Sequence, residues 1–342
     1  MRSSRPRRRA RALVTGLVVV VTAVALGVPA LAETPPPAPP GTPGSTMRSI
    51  PVEPRAGRAA KERLDARSAA VPENVTAWWV DPRTHQTVVA VVGPATRAAS
   101  EFAADADPAA VRLQPMSAPI RLLGTPTPAA TPAPAATPTP APTPAPAATP
   151  APLIGGTAIT TTGTRCSDGF SARRGTTTYV LTAGHCTAEG RSWNGPDRRP
   201  LGTAVRTEYP GHDYGIIQVS TTTTWRGSGR IQGGPTVTGA TEAPSGSAVC
   251  RSGSSSGYHC GTVQDTDVTV NYGSGTVITG LTRTTVCAEA GDSGGPFVTP
   301  DSAQAQGTLS GGTGDCVAGG TTYFQPLAPV LASMGLTLVT GD

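Results

Sequence analysis

Histidine is scarce in this chain of 342 residues, and the place where none occurs is informative. The segment Gly291–Gly295 fits the G-x-S-x-G pattern that surrounds a serine nucleophile in the α/β-hydrolase fold. That fold requires a histidine after the serine in chain order. No histidine follows Ser293, so the sequence excludes the α/β-hydrolase fold. The four histidines are His85, His185, His212 and His259.

Excess positive charge is confined to the start of the chain. The formal net charge is +5, but Met1–Ala12 holds six arginines, whereas residues 154–342 hold 11 basic and 13 acidic residues. We therefore expect no nucleic-acid partner. The apolar run Leu13–Val28 is shorter than the ~20 residues of a membrane-spanning helix, and Ala30-Leu31-Ala32 offers a small-residue cleavage site. Residues 1–32 are predicted to be a signal peptide, which predicts a secreted, extracellular protein without stable membrane association.

All six cysteines follow residue 153, and no two of them form a Cys-x-x-Cys pair. Such pairs are typical of zinc sites, so we expect no metal, and nothing in the sequence calls for a cofactor. After export the cysteines would meet an oxidising compartment in which disulfides persist. Sequence alone leaves 15 pairings open.

Composition divides the remaining chain into three parts. Residues 33–123 are predicted to be a propeptide with a small α+β unit at about 70–115, which either assists folding or has no role once cleaved. Residues 124–153 form a linker rich in Pro, Ala and Thr, which should be extended. Residues 154–342 alternate short runs of Thr, Val, Ile and Tyr with Gly, Ser and Asn, a pattern typical of an all-β domain. The elements expected in the propeptide are strands at 77–80, 88–92 and 110–113 and a helix at 95–106.

Three residues of the C-terminal part can form a nucleophilic triad. Ser293 lies among glycines, His185 follows the strand-like run Thr176–Leu181, and Asp213 precedes an apolar run that would bury its carboxylate. A serine hydroxyl is a weak nucleophile, so it needs a neighbouring base and a group that orients that base. The resulting chain order is His, Asp, Ser.

Residues 154–342 resemble the chymotrypsin-like serine peptidases, in particular the bacterial branch with the streptogrisins and α-lytic endopeptidase. The resemblance implies two six-stranded Greek-key β-barrels followed by a short C-terminal helix. It also implies a monomeric serine endopeptidase that acts on polypeptides and is made as a zymogen with its own propeptide as partner. The segments that carry the resemblance are Thr182–Cys186, Asn271–Gly273, Cys287–Gly295 and Gly319–Pro326.

The resemblance also assigns roles to individual residues. The backbone amides of Gly291 and Ser293 would form the oxyanion hole. Arg251 would neutralise Asp292, a role that the amine of a new N-terminus at Ile154 could fill instead. The implied disulfides are Cys166–Cys186, Cys250–Cys260 and Cys287–Cys316. The implied substrate-binding residues are Ala288, Glu289, Ala290, Leu309, Ser310, Gly311 and Gly312.

The predicted specificity pocket has no acidic residue at its floor, and Ala288 and Leu309 occupy positions where α-lytic endopeptidase has methionines. We therefore expect an open, apolar pocket that accepts medium to large apolar residues on the acyl side of the scissile bond. On that basis Pro150–Leu153 is predicted to be a self-cleavage site, with Ile154 as the new terminus. An inactive binding-only member of the fold and an esterase are the alternatives.

Overall fold

Strands make up most of the described chain, as the β-branched runs separated by glycine and serine predict. The computed structural model describes residues 54–104, 107–126 and 149–341, all within one compact unit. The expected signal peptide and most of the expected linker lie outside these residues. Within the described residues, no helix combines the length and the apolarity that a membrane crossing requires.

The N-terminal part of the described chain is an α+β unit. A hairpin of two antiparallel strands is followed by a helix that Thr96 caps, and a third strand then lies parallel to the second. The hairpin, the helix and the third strand are confirmed predictions. The elements of this unit are α1 (Pro54–Ala66), β1 (Val75–Val80), β2 (Thr87–Val92), α2 (Arg97–Ala103) and β3 (Val111–Met116).

Helix α1 corrects the expected start of this unit, because it precedes residue 70. Leu64 is buried in a core cluster with Trp78 of β1, and the Trp78 Nε1 donates a hydrogen bond of 2.7 Å to Asp65 Oδ1. The helix is therefore part of the unit's core, although its sequence PRAGRAAKERLDA offers few large apolar residues.

Three short strands follow, and each of them pairs with a strand of the C-terminal part of the chain. They are β4 (Arg121–Leu122), β5 (Thr125–Pro126) and β6 (Ala151–Pro152).

The first sheet of the C-terminal part is antiparallel and places His185 and Asp213 side by side. Helix α3 (Gly184–Ala188) follows strand β10 (Thr177–Thr182). Strand β13 (Tyr214–Val219) pairs antiparallel with β10. Strand β5 and the C-terminal strand at Thr337–Leu338 form the two edges of this sheet. Its other strands are β7 (Ala158–Thr161), β8 (Thr164–Ser167), β9 (Phe170–Arg174), β10 (Thr177–Thr182), β11 (Ser192–Asn194), β12 (Pro200–Glu208) and β13 (Tyr214–Val219).

The next short strand, β14 (Trp225–Arg226), pairs in parallel with β6. Ala151–Leu153, the end of the expected linker, thereby belong to the folded C-terminal part of the chain.

The second sheet closes into a six-stranded barrel. Closure follows because its first strand, β15 (Ala248–Gly253), pairs with both β16 (Gly257–Asn271) and β18 (Pro296–Val298). Phe297 and Phe324 lie in its core, with ring centroids 4.7 Å apart. This all-β architecture with a C-terminal helix confirms the predicted fold class. The remaining elements are β15 (Ala248–Gly253), β16 (Gly257–Asn271), β17 (Val277–Thr284), β18 (Pro296–Val298), β19 (Ala305–Asp315), β20 (Gly319–Pro326), α4 (Leu327–Met334) and β21 (Thr337–Leu338).

The N-terminal α+β unit extends this second sheet. Strand β1 pairs antiparallel with β16, with Ala77 opposite Val270 and Trp78 opposite Thr269. The Arg283 guanidinium lies over the Trp79 ring at 4.4 Å from its centroid. Backbone pairing and buried apolar contacts thus join the two parts of the chain.

Candidate active site

His185 and Asp213 meet because β10 and β13 are neighbours in the first sheet. His185 lies in α3, just after β10, and Asp213 immediately precedes β13. The His185 Nδ1 lies 2.9 Å from Asp213 Oδ2 and 3.1 Å from Oδ1. The backbone amide of His185 donates a further bond of 2.8 Å to Oδ1. Both the main chain and the ring of the histidine are therefore fixed by one carboxylate.

Ser293 completes the arrangement from the second barrel. Its Oγ lies 2.8 Å from the His185 Nε2, and its carbonyl accepts a bond of 2.8 Å from the Ser167 amide. Gly294 follows with φ of +81°, and a Cβ at this position would lie 2.0 Å from the Thr182 Oγ1. Glycine is required here both by the left-handed backbone and by this close approach.

Asp213 is fully buried and held ionised by its partners. Burial alone would raise its pKa, but the charge and hydrogen bonds of His185, together with a hydrogen bond of 2.5 Å from the Ser310 Oγ, hold the pKa below its ordinary value. The Asp213 amide donates to the Gln325 Oε1 at 3.0 Å. The Tyr272 hydroxyl lies 2.9 Å from the Ser310 Oγ. Since Ser310 donates its only proton to the carboxylate, Tyr272 donates to Ser310.

Asp292, next to the nucleophile, is paired with Arg251. The Arg251 Nη1 lies 3.2 Å from Asp292 Oδ2, and both side chains are fully buried. Burial lowers the pKa of Arg251, while the negative charges of Asp292 and Glu289 oppose this change. Ser256 bridges the pair, because its Oγ donates to Asp292 Oδ2 at 2.6 Å and accepts from the Arg251 Nη2 at 2.6 Å. The amides of Ser255 and Glu289 also donate to the carboxylate.

The segment Arg121–Leu123, the end of the expected propeptide, lies in the cleft beside the triad. Leu122 pairs with Gly311 and Arg121 with Gly312, both in antiparallel register with β19. The Leu123 carbonyl accepts a hydrogen bond from the Gly291 amide.

The side chain of Leu123 is partly buried against the second barrel. It packs against the buried cluster that contains Ala288 and Leu309. Gly124 follows next to the base, since a Cβ built on it would lie 3.6 Å from the His185 Nε2.

Four of the seven residues expected to bind substrate belong to the cluster or the strand that this segment contacts: Ala288, Leu309, Gly311 and Gly312. Ser310 donates to Asp213 instead. Glu289 and Ala290 have other contacts. The Glu289 Oε1 accepts a bond of 2.9 Å from the Cys316 amide, and the Ala290 carbonyl accepts one of 2.7 Å from the Ser255 Oγ. These two bonds hold the loop that carries Asp292.

Leu153, the expected self-cleavage site, lies elsewhere. It is 1% exposed within the core of the first sheet, and its amide donates a bond of 2.9 Å to the Arg226 carbonyl.

Sequence reasoning missed the supporting roles of Tyr272, Gln325 and Ser256 and the placement of Leu123. The first two residues lie in segments that carried the family resemblance, which is the one signal that could have drawn attention to them.

The three disulfides implied by the resemblance are present: Cys166–Cys186, Cys250–Cys260 and Cys287–Cys316. Two groups among the described residues bring histidine and cysteine atoms close enough for a metal ion, around His185 and around His259. In both groups the sulfur atoms belong to these disulfides, so no thiolate is available as a ligand.

Two packed β-structures with a His-Asp-Ser site between them define the chymotrypsin-like class of serine peptidases. The sequence model of the trypsin family matches residues 153–333, and the chain belongs to this family. The model of the α-lytic protease prodomain matches residues 58–110, which include most of α1 and the hairpin.

Named relatives agree with this assignment. Streptogrisin-C of Streptomyces griseus is 40% identical over 82% of this chain and 56% of its own length, and streptogrisin-D of the same organism is 44% identical over 54% of this chain and 47% of its own. The chain thus spans about half the length of these curated relatives. Among solved structures, Thermobifida fusca protease A is 47% identical and covers 56% of this chain and 100% of its own, with a TM-score of 0.50.

Proposed function

We propose that the chain is a secreted serine endopeptidase that hydrolyses peptide bonds through an acyl-enzyme on Ser293 and is made as a self-processing zymogen. One observation carries the proposal: the Ser293 hydroxyl, the His185 ring and the Asp213 carboxylate form a continuous chain of hydrogen bonds. Names of the relatives, streptogrisins C and D, support the same reaction class.

The geometry fixes the direction of proton transfer. Because Asp213 is ionised, it accepts the proton on the His185 Nδ1, and this leaves Nε2 unprotonated and facing the Ser293 hydroxyl. Nε2 removes the hydroxyl proton as Oγ attacks the substrate carbonyl, and it then returns this proton to the departing amine. Asp213 stabilises the imidazolium that forms in between. The Gly291 amide donates to the oxygen that becomes negative, where loss of one such donor typically costs about 3 kcal/mol of the barrier.

The proposed preference is for medium to large apolar residues on the acyl side. It is supported by the apolar cluster that receives Leu123 and by Ala288, whose small side chain leaves room beside Leu309. A charged side chain would lose its hydration in this space without gaining an opposite charge. Extended substrates would pair with Gly311 and Gly312, a contact that supports peptides over small esters as substrates.

Labelling tests the catalytic step. A serine-directed phosphonate should modify Ser293 in the purified chain once the propeptide has left. The rate of hydrolysis of a leucyl peptide amide should fall in proportion to the fraction of Ser293 that is labelled. The variant Ser293→Ala should neither label nor hydrolyse. Ser192, an exposed serine outside the cleft, provides the matched control, and Ser192→Ala should keep both properties. A folded chain that does not label would instead be a binding-only member of the fold.

A pair of pocket variants tests the specificity. Ala288→Met should fill the space that receives leucine and lower kcat/KM for leucyl substrates by about 10-fold or more relative to alanyl ones, because overfilled apolar space is strongly unfavourable. Ala290→Met introduces the same side chain at an exposed position two residues away and should leave this ratio unchanged. Equal ratios in the two variants would refute the assignment of the pocket.

A further inference from the structure

The propeptide segment Arg121–Leu123 makes the contacts that a substrate's acyl side would make. Its backbone pairs with Gly311 and Gly312, as extended peptides pair with an exposed strand. Its last side chain, Leu123, packs against the apolar cluster that contains Ala288 and Leu309, two of the residues expected to line the specificity pocket. The Leu123 carbonyl oxygen meets the Gly291 amide, which is the donor expected to stabilise an oxyanion.

The chain continues on the other side of the nucleophile as a leaving group would. Gly124 lies next to the His185 Nε2, the atom that must deliver a proton to the departing amine. Strand β5 then pairs antiparallel with β8, with Thr125 opposite Arg165 and Pro126 opposite Thr164. The segment is therefore held on both sides of one peptide bond, between residues 123 and 124.

We propose that the first self-cleavage occurs at the Leu123–Gly124 bond, within one molecule, and that the released protease fragment begins at Gly124. This inference rests on the proposed function and specifies a substrate of the same site.

In the first step Ser293 Oγ bonds to the Leu123 carbonyl carbon, the bond from that carbon to the Gly124 nitrogen breaks, and the Oγ proton passes through His185 Nε2 to that nitrogen. Water then hydrolyses the ester. The products are a carboxylate at Leu123 and an amine at Gly124.

The Leu153–Ile154 bond, which resembles Leu123–Gly124 in having leucine on its acyl side, lacks these contacts. Leu153 is part of the core of the first sheet with Trp225. The amides of Leu153 and Gly155 donate to the carbonyls of Arg226 and Arg230, each at 2.9 Å. Cleavage there would require this core and these bonds to separate before the bond could enter any cleft.

The position of this cut determines where the released fragment begins. Because Ala151–Leu153 are held by β14 and the core, a cut at Leu123 leaves residues 124–150 covalently attached to the folded protease. This stretch is almost wholly Ala, Thr and Pro. The fragment released by the first cut therefore begins with a proline-rich extension.

The experiment follows the first cut in the full-length chain, exported by a host that lacks its own secreted proteases. Terminal sequencing and intact mass of the earliest products should show a propeptide ending at Leu123 and a fragment beginning at Gly124. The cleavage rate should not change on dilution. Leu123→Arg should slow the cut by about 100-fold or more, because a charge enters the apolar pocket, whereas Leu123→Met should remain within about 3-fold of the parent. Leu113→Arg, the same change at a 39% exposed leucine of β3, should leave the rate unchanged.

The outcomes separate this inference from the function on which it rests. Either of two results would overturn the inference: a first fragment that begins at Ile154, or a Leu123→Arg chain that is cut at position 123 at the parental rate. In either case, hydrolysis of an added leucyl peptide and phosphonate labelling at Ser293 would still support the proposed endopeptidase. A chain that neither cuts itself nor hydrolyses the peptide nor labels would overturn both. Cutting that slows in proportion to dilution would refute the intramolecular step.

Discussion

Replacing Asp168 with asparagine should make the protein more stable at pH 8 and leave its stability at pH 4 almost unchanged. Asp168 follows Ser167 at the end of β8 and is only 1% exposed. Its backbone is paired, since its amide donates to the Thr157 carbonyl at 2.8 Å and its carbonyl accepts from the Gly156 amide at 2.7 Å. Neither carboxylate oxygen, however, has a hydrogen-bond partner among the described residues.

The sign and the size of the effect follow from the pKa. Burial raises the pKa of Asp168 from 3.8 to about 7. Between these values the folded chain holds a proton that the unfolded chain has released, so stability falls as the pH rises from about 4 to about 7 and is then constant. At about 1.4 kcal/mol per pKa unit, the full loss is about 4 kcal/mol. Asparagine has no such titration, so the loss disappears.

Thermal unfolding of the Ser293→Ala chain, which cannot digest itself, measures this difference. With about 2–4 °C per kcal/mol for a chain of this size, the additional substitution Asp168→Asn should raise Tm by on the order of 10 °C at pH 8 and by little at pH 4. Asp301→Asn, the same change at an exposed aspartate, should raise Tm at neither pH. If Tm changed with pH in the same way in the Ser293→Ala chain with and without Asp168→Asn, between pH 4 and pH 8, the reasoning would be refuted.

Three further substitutions test the supports of the site. Arg251→Ala should leave Asp292 buried without its cation and destabilise the fold by about 3–5 kcal/mol, with loss of peptide hydrolysis; Arg97→Ala, at a 92% exposed side chain, should change neither. Gly253→Ala should cause a similar loss of activity, because its Cβ would lie 2.4 Å from both Arg251 Nη1 and Asp292 Oδ1; full activity would contradict this contact. Ser310→Ala should lower kcat by about 10- to 100-fold, the value of one hydrogen bond to a charged group, and a change confined to KM would refute its positioning role.

In the propeptide, the hairpin was predictable from sequence but α1 was not. The hairpin strands consist of β-branched and aromatic residues separated by a turn-rich segment, so local preference and final structure agree. Helix α1 has little apolar surface of its own and depends on a close approach to the hairpin turn. A Cβ on Gly57 would lie 1.9 Å from the His85 carbonyl oxygen, and the Thr87 Oγ1 donates a bond of 2.6 Å to the Gly57 carbonyl. Such packing cannot be recognised from the helix sequence.

The candidate site likewise has residues that could be predicted from the sequence and residues that could not. His185, Asp213 and Ser293 each stand in a short motif whose glycines and apolar neighbours are readable along the chain. Their supporting groups are not: Gln325 reaches Asp213 across 112 residues of sequence, and its role depends on how strand β20 is placed. Side chains of this kind acquire a function only when the register of both sheets is fixed.

The position of the proposed self-cleavage site shows this limit of sequence-based prediction most clearly. Leu123 and Leu153 are both leucines at the ends of a proline-rich stretch, and an apolar pocket alone cannot distinguish them. Topology does distinguish them, because β1 is anchored on β16 and the chain from β3 onward then passes along β19, whereas β6 is used to complete the first part of the protease fold. Leu153 is thus buried in the core of the first sheet, whereas Leu123 lies in the cleft beside the nucleophile. In the proposed first cut, the docking of the propeptide therefore selects the bond, and the pocket decides only which side chain is acceptable there.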